Sequence, residues 1–467
     1  MNHAFSFDAR YCSGCKACQA ACKDKNNLPT GVLWRRVYEV TGGDWQQKGD
    51  TWNHNIFAYN LSMACNHCIH PKCAGVCPTK AYTVREDGIV ILDSTKCVGC
   101  GYCAWACPYA APQYDAESGY MSKCNFCFDD LDQGLPPACV AACPLRVLGH
   151  EEMDSTARGI PLWDTSPDLH PYPLPGFSHT QPRLAVTPHP GMNRSEVKAV
   201  ANAEEIRLRR SSNWDELPLM IFTLLTQLAV GGFWVIALLS LPAELRTLPS
   251  LLVGASLCVG ISASFAHLGT KRNAWRVLNN IRKSSLSKEI LSSGLFGLGW
   301  LITFISNSFE WGVITCICGI GLVYNMSQVY RFRAAPGWNT WRTNTGFMTS
   351  ALLLGLSVMG VLIGCESNSS GFQVPGSLWQ MRSAVVSILL LIQWAMIRKA
   401  FSPRLTSIRI GFVVSGILLS AATIFASQQI ASWLNIVTAI LVISEEALGR
   451  WLFYDSRLGV EQKHIHL

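Results

Sequence analysis

The sequence predicts an α+β cysteine-rich domain followed by an all-α membrane bundle of about eight transmembrane helices. Three observations carry that reading. Sixteen of the 20 cysteines fall before residue 144, the long apolar runs fall after residue 217, and a Pro-rich stretch lies between them. At 467 residues the chain is too long for one small domain, and about 150 residues per unit suggests roughly three. The divisions are 1–150 for the cysteine domain, 151–216 for a linker with a polar helix, 217–455 for the bundle and 456–467 for a tail. The net charge of +7 could suggest nucleic acid. The basic residues instead gather between apolar segments, as membrane topology would place them. The N-terminus, MNHAFSFDARYC, has no apolar core and no twin arginine, so no signal peptide is expected.

The cysteines form four groups of four: Cys12, Cys15, Cys18 and Cys22; Cys65, Cys68, Cys73 and Cys77; Cys97, Cys100, Cys103 and Cys107; Cys124, Cys127, Cys139 and Cys143. The first and third groups read C-x2-C-x2-C-x3-C, the spacing of bacterial ferredoxins. A cubane cluster needs four thiolates around a compact core. Three come from one tight loop, and the fourth faces away to ligate the other cluster of a pair. Proline follows Cys77, Cys107 and Cys143, whereas Lys23 follows Cys22. Zinc also uses C-x2-C pairs, but a third cysteine two residues on has no tetrahedral use. Disulfides cannot bridge all members of such a run without strain. The expected class is therefore an α+β double ferredoxin-like iron–sulfur domain. Adjacent groups could pair, or groups two and three could nest inside groups one and four. The length from Asn26 to Ala64 favours nesting.

The stretches FDARYCSGCKACQAACKDKN, RRVYEVTGGDWQQ, WNHNIFAYNLSMACNHC and REDGIVILD, with CPYAAPQY and SKCNFC, resemble the electron-transfer subunit of the dimethyl sulfoxide reductases over about 150 residues. The resemblance implies four ligand sets. Cys12, Cys15, Cys18 and Cys143 would hold one cluster, and Cys124, Cys127, Cys139 and Cys22 its partner. Cys65, Cys68, Cys73 and Cys107 would hold a third, and Cys97, Cys100, Cys103 and Cys77 the fourth. Relatives in nitrate reductases carry Trp at the position of Cys100 and hold a three-iron cluster, so cysteine here implies four [4Fe-4S] clusters. Trp105 is expected only to pack. Trp34, Arg35, Arg36, Tyr38 and Trp45 could face a partner subunit or belong to a half-buried hairpin.

The junction holds Pro161, Pro167, Pro171, Pro173, Pro175, Pro182, Pro188 and Pro190, and reads as a loop or extended wrap. The polar helix is placed on EVKAVANAEEIRLRR. His170, His179 and His189 lack ligand spacing. The junction reads most simply as a fusion joint between two proteins that are separate chains elsewhere.

Apolar runs close to the roughly 20 residues that span hydrocarbon fall near 218–241, 248–268, 289–306, 311–330, 345–364, 379–397, 408–426 and 433–454. Eight spans return the chain to its starting side. Arg207, Arg209, Arg210, Lys271, Arg272, Arg276, Arg282, Lys283, Lys288, Arg331, Arg333, Arg342, Arg398, Lys399 and Arg404 lie on that side. The opposite side has Arg246 and the border residue Arg382. The positive-inside rule puts the cysteine half on the cytoplasmic face of a bacterial inner membrane. The family resemblance allows the periplasmic face, because its catalytic subunit usually carries an export signal.

Ionisable residues within spans mark function by default. His267 ends the second span, Glu289 begins the third, and Glu445 and Glu446 lie inside the eighth. Plain alternatives exist: an interface histidine, an acid at a helix N-terminus, and an i,i+4 ion pair from Glu446 to Arg450. HLGTKRNAWRVLNNIRKSSLSKEI, YRFRAAPGWNTWRTN and EEALGRWLFY resemble the membrane anchor of the same reductases. That resemblance implies menaquinol binding with His267 as a site residue; Glu289 lies on the same face, and its carboxylate suits the second quinol hydroxyl. Haem would want paired histidines inside helices, so none is expected. The chain reads as a subunit performing the quinol half-reaction, with a separate molybdopterin catalytic subunit as partner. Polysulfide, tetrathionate or nitrate reductase partners are alternatives within the class. A zinc-binding membrane scaffold or sensor is the alternative outside it.

Overall fold

The computed structural model describes residues 2–153, 180–191, 197–201, 216–239, 242–370, 375–397, 403–426 and 428–455. These fall into two compact units. One holds the residues up to 201 together with Leu268–Ser284, and the other holds residues 216–267 and 285–455.

In the cysteine unit the strands are β1 (Asn2–Asp8), β2 (Arg36–Gly42), β3 (Trp45–Lys48), β4 (Thr51–His54), β5 (Phe57–Met63), β6 (Tyr82–Val84), β7 (Val90–Leu92), β8 (Gln113–Asp115), β9 (Tyr120–Ser122), β10 (Leu148–Met153), β11 (Leu184–Thr187) and β12 (Val197–Ala201). They build two three-stranded sheets, ordered β10-β1-β11 and β12-β2-β5, and three hairpins. β1 alternates strongly: Phe5 and Phe7 turn inward, both nearly fully buried, against Leu148, Leu184 and Val186. This is the two-residue period of a sheet with one covered face.

The helices of this unit are short, and four carry the third cysteine of each group. Cys18 lies on Ala17–Lys25, Cys73 on Lys72–Val76, Cys103 on Tyr102–Ala106 and Cys139 on Ala138–Ala141. The Cys18 helix packs on the Cys139 helix, and the Cys73 helix on the Cys103 helix.

The junction differs from its sequence reading. Val197–Ala201 is a strand paired with β2 where the polar helix was expected. Leu184–Thr187 is a strand running parallel to β1. The physical reason is that β1 and β2 each present an edge whose unpaired N–H and C=O groups take a further strand. Edge pairing of this kind is a tertiary event that helix propensity does not register. The remainder of the expected polar helix, together with His170 and His179, lies outside the described residues. His189 stacks on Tyr59, ring centroids 5.2 Å apart.

Among its described residues the second unit has eight helices long and apolar enough to cross a membrane: Leu217–Leu239, Ala243–Ala266, Ser285–Ser306, Phe309–Val329, Trp341–Ser370, Gly376–Met396, Pro403–Ala422 and Gln428–Asp455. Each overlaps one expected span. The first and fifth cross closely. A Cβ on Gly231 would collide with the Ala351 carbonyl, and one on Gly355 with the Gly231 backbone. Small residues permit such approach where no hydrophobic force drives helices together. Arg382, expected at a border, is buried. Its guanidinium donates to the carbonyls of Leu356 and Ser357 and, at 2.6 Å, to Asn435 Oδ1, tying three helices.

Candidate metal centres and a buried membrane polar site

Each C-x2-C pair closes through one residue in the left-handed region: Gly14, His67, Gly99 and Phe126, with φ of 71°, 42°, 70° and 65°. That turn brings backbone N–H groups onto sulfur. The N–H of Gly99 reaches Cys97 Sγ at 3.4 Å, and that of Phe126 reaches Cys124 Sγ at 3.4 Å. Ala81 donates to Cys77 Sγ at 3.3 Å and Met121 to Cys97 Sγ at 3.5 Å. Glycine adopts this conformation freely, whereas His67 and Phe126 hold it against strain. Both are buried, and Phe126 stacks on Phe5 at 4.0 Å while meeting His67 edge-on at 5.2 Å.

The cysteines then gather by quartet. Cys12, Cys15, Cys18 and Cys143 line one cavity, and Cys65, Cys68, Cys73 and Cys107 another. Cys22, Cys124 and Cys127 are each within electrostatic reach of Cys139. Cys77 lies in reach of Cys97, Cys100 and Cys103. Among the described residues no group of three or more His, Cys, Asp or Glu is placed to hold a metal ion. Two quartets instead ring open space. Burial pushes the Cys107 thiol up to about 11, and the Cys22 and Cys100 thiols up to about 12. Such thiols stay protonated until a metal takes the sulfur. Four convergent sulfurs with N–H donors aimed at them are the donor set an iron–sulfur cluster requires.

Around the quartets lie buried cations. Arg35, Arg36, Lys123 and Arg183 are all nearly fully buried. Arg36 donates to the carbonyls of Tyr109 and Ala110, and Arg183 to those of His67 and Gly88. Arg35 and Arg36 are therefore internal groups, while Trp45 is exposed.

The segment Leu268–Ser284 belongs to this unit. Its Asn273 amide donates to the carbonyls of Thr95 at 2.9 Å and Cys97 at 2.8 Å. Its Asn280 amide donates to those of Gly75 at 3.1 Å and Cys77 at 2.8 Å. Thr270 adds bonds to the carbonyls of Val98 and Gly119, both 3.1 Å.

In the helical unit His267 caps the second helix, half-buried, and Glu289 lies buried in the opening turns of the third. Both stand at the same end of neighbouring helices. Glu289 is within electrostatic reach of Tyr330 and Tyr454, whose hydroxyls share a 2.6 Å hydrogen bond. Deeper, Glu446 accepts from Ser350 at 2.6 Å and Gln393 at 3.1 Å. Arg409 pairs with Glu445 at 2.7 Å, and Arg450 donates to Gln227 at 2.7 Å. Arg450 thus bonds across the bundle to another helix and also faces the Phe347 ring, 4.0 Å from its centre. Gln227, Gln393, Arg409, Tyr330 and Tyr454 were not singled out from the sequence. The available signal was a polar side chain inside an apolar run, as in LTQLAV and LIQWAM.

The family model described as the DMSO reductase anchor subunit matches residues 211–455, and a 4Fe-4S dicluster domain matches residues 56–152. The chain belongs to the DMSO reductase anchor subunit family. Its cysteine half is similar to separate iron–sulfur subunits, so it is a fusion of an iron–sulfur subunit with an anchor. One component of the anaerobic dimethyl sulfoxide reductase of Haemophilus influenzae is 47% identical over 188 residues, 40% of this chain and 89% of that one. A component of the tetrathionate reductase of Salmonella typhimurium is 41% identical over 151 residues, 32% of this chain and 57% of that one. A component of the polysulfide reductase of Wolinella succinogenes is 36% identical over 185 residues, 39% and 92% of the two chains. The anchor family and the eight helices make this a multi-pass membrane protein with a general role in electron transfer.

Proposed function

We propose that the chain oxidises a quinol, menaquinol by its resemblance, at His267 and Glu289. It passes the electrons through four [4Fe-4S] clusters to a separate molybdopterin-containing catalytic subunit. The observation that supports this is the fusion itself: four cysteine quartets on one chain with an anchor-family bundle. Cys12, Cys15, Cys18 and Cys143 would hold one cluster, and Cys22, Cys124, Cys127 and Cys139 the next. Cys65, Cys68, Cys73 and Cys107 would hold the third, and Cys77, Cys97, Cys100 and Cys103 the fourth. When bound, the clusters supply one-electron carriage.

The protein's own part is to bind quinol and take its protons. Each quinol hydroxyl needs a hydrogen-bond partner and a proton acceptor. The His267 imidazole suits one, since histidine ordinarily titrates near neutrality. The Glu289 carboxylate suits the other. The positive-inside asymmetry supports a cytoplasmic face for the cysteine unit in a bacterial inner membrane. A tetrathionate or polysulfide reductase partner is the second reading, favoured by the relatives of that name.

Two measurements test the reading. Anaerobically purified protein should carry roughly sixteen irons with matching acid-labile sulfide; zinc without sulfide would refute it. His267→Ala should abolish reduction by quinol while dithionite still reduces the clusters. Unchanged quinol-driven reduction would remove His267 from the mechanism. Mass spectrometry of co-purifying chains identifies the partner.

A further inference from the structure

Arg35 is 2% exposed and pairs with no carboxylate among the described residues. Its Nη1 donates to Ser62, at 3.2 Å to the hydroxyl and 3.5 Å to the carbonyl. Its Nε and Nη2 have no hydrogen-bond partner. The guanidinium carbon sits over the Phe5 ring, 4.5 Å from its centre. A lone buried cation with idle donors is costly unless anionic charge lies close by.

The charged groups facing it are sulfurs. Cys18, Cys22, Cys124 and Cys139 lie within electrostatic reach of it, drawn from two different quartets. It touches both. The Ser62 hydroxyl that accepts from Arg35 also contacts Cys18 Sγ at 3.4 Å. The Arg35 backbone N–H bonds the Cys22 sulfur. The other buried cations are committed differently, with Lys123 donating to the carbonyls of Val90 and Cys124 and Arg183 to those of His67 and Gly88.

We propose that Arg35 is the shared counter-charge of two clusters, those of Cys12, Cys15, Cys18 and Cys143 and of Cys22, Cys124, Cys127 and Cys139, and raises the reduction potential of both. This rests on the cluster reading given above. Reduction adds one electron to a cluster that four thiolates already make anionic. A fixed positive charge alongside stabilises the reduced state more than the oxidised one, and net charge is one of the levers on cluster potential. Arg35 is thus a positioning and electrostatic residue for electron transfer, and it holds two carriers within one field.

The test is a redox titration of the full-length membrane protein followed by electron paramagnetic resonance, with iron content, for wild type, Arg35→Gln and Arg35→Lys. Arg35→Gln should shift two of the four midpoint potentials downward and leave two in place, while Arg35→Lys keeps all four near wild type. Loss of half the iron in Arg35→Gln, with full iron in Arg35→Lys, also supports the proposal, since charge alone separates them. Four unmoved potentials in Arg35→Gln overturn it. So does Arg35→Lys behaving like Arg35→Gln, or loss of all four clusters in Arg35→Gln, because shape rather than charge would then be what matters. Wild type without iron defeats the cluster reading itself, an outcome distinct from four clusters indifferent to Arg35.

Discussion

At the residue scale, the cysteine loops show how one backbone conformation is written in two ways. Gly14 and Gly99 take the left-handed turn at no steric cost, while His67 and Phe126 take it at the cost of strain. Phe126 is held there by its stack on Phe5 and its edge contact with His67. Two effects then compete when Phe126 is replaced. Phe126→Ala loses aromatic packing worth about 3–5 kcal/mol and keeps the strain. Phe126→Gly loses the same packing but recovers about 1–2 kcal/mol of left-handed penalty. Thermal denaturation should therefore rank wild type above the glycine variant, and the glycine variant at or above the alanine one. An alanine variant clearly more stable than the glycine variant would show that the turn is not strained. The C-x2-C spacing was legible in the sequence. The left-handed phenylalanine was not, because no local preference favours it and only its buried neighbours hold it.

At the element scale, the segment Leu268–Ser284 runs from the second membrane helix to the third and folds with the cysteine unit. Asn273 and Asn280 anchor it through carbonyls of Cys97 and Cys77. A Cβ on Gly269 would collide with the Gly119 carbonyl. Asn280 is buried, and Asn280→Ala removes its hydrogen bonds to the Gly75 and Cys77 carbonyls, leaving Cys77 only the 3.4 Å bond from the Lys80 N–H, at about 0.5–1.5 kcal/mol per bond lost. The segment carries Lys271, Arg272, Arg276, Arg282 and Lys283, which make it a trypsin substrate once released. Limited proteolysis should cut it about tenfold faster in Asn280→Ala for each ~1.4 kcal/mol lost, because cleavage follows the population of the open form. Equal cutting rates would mean that these hydrogen bonds do not hold the segment. Sequence placed the basic residues here and gave them a topological role. It could not reveal the asparagine contacts, whose partners lie some 200 residues away (203 for Asn280 and Cys77). The strand Val197–Ala201 was hidden for the same reason: the edge of β2, not the local sequence, decides its conformation.

At the scale of the whole molecule, the described residues hold eight membrane-length helices, an even number, and eight crossings return a chain to its starting side. Reporter fusions at residue 1 and residue 467 should therefore report one compartment, which is the cytoplasm in the orientation proposed from the charge asymmetry. Opposite compartments at the two ends would break the eight-span topology. Both ends outside would keep the topology and reverse the orientation. Inside the bundle, Arg382, Arg409, Glu445, Glu446 and Arg450 are all buried or nearly so, each with a polar partner on another helix. Charged groups in a span are tolerated when they face the interior and pair.

What the sequence by itself determined are the features written in spacing and hydropathy: four cysteine groups, eight apolar runs, and the divide between them. Those signals are local, since a cluster loop needs thiols two residues apart and a span needs about 20 apolar residues in a row. Tertiary structure alone decided which distant groups meet. It brought Cys12, Cys15 and Cys18 to one cavity with Cys143, set Arg35 among the sulfurs of two quartets, and matched Glu446 to Ser350 and Gln393 rather than to an ion pair one turn away. The reason is that a buried charge or thiol is stabilised by whatever the fold carries to it, and that partner leaves no mark in the residues beside it.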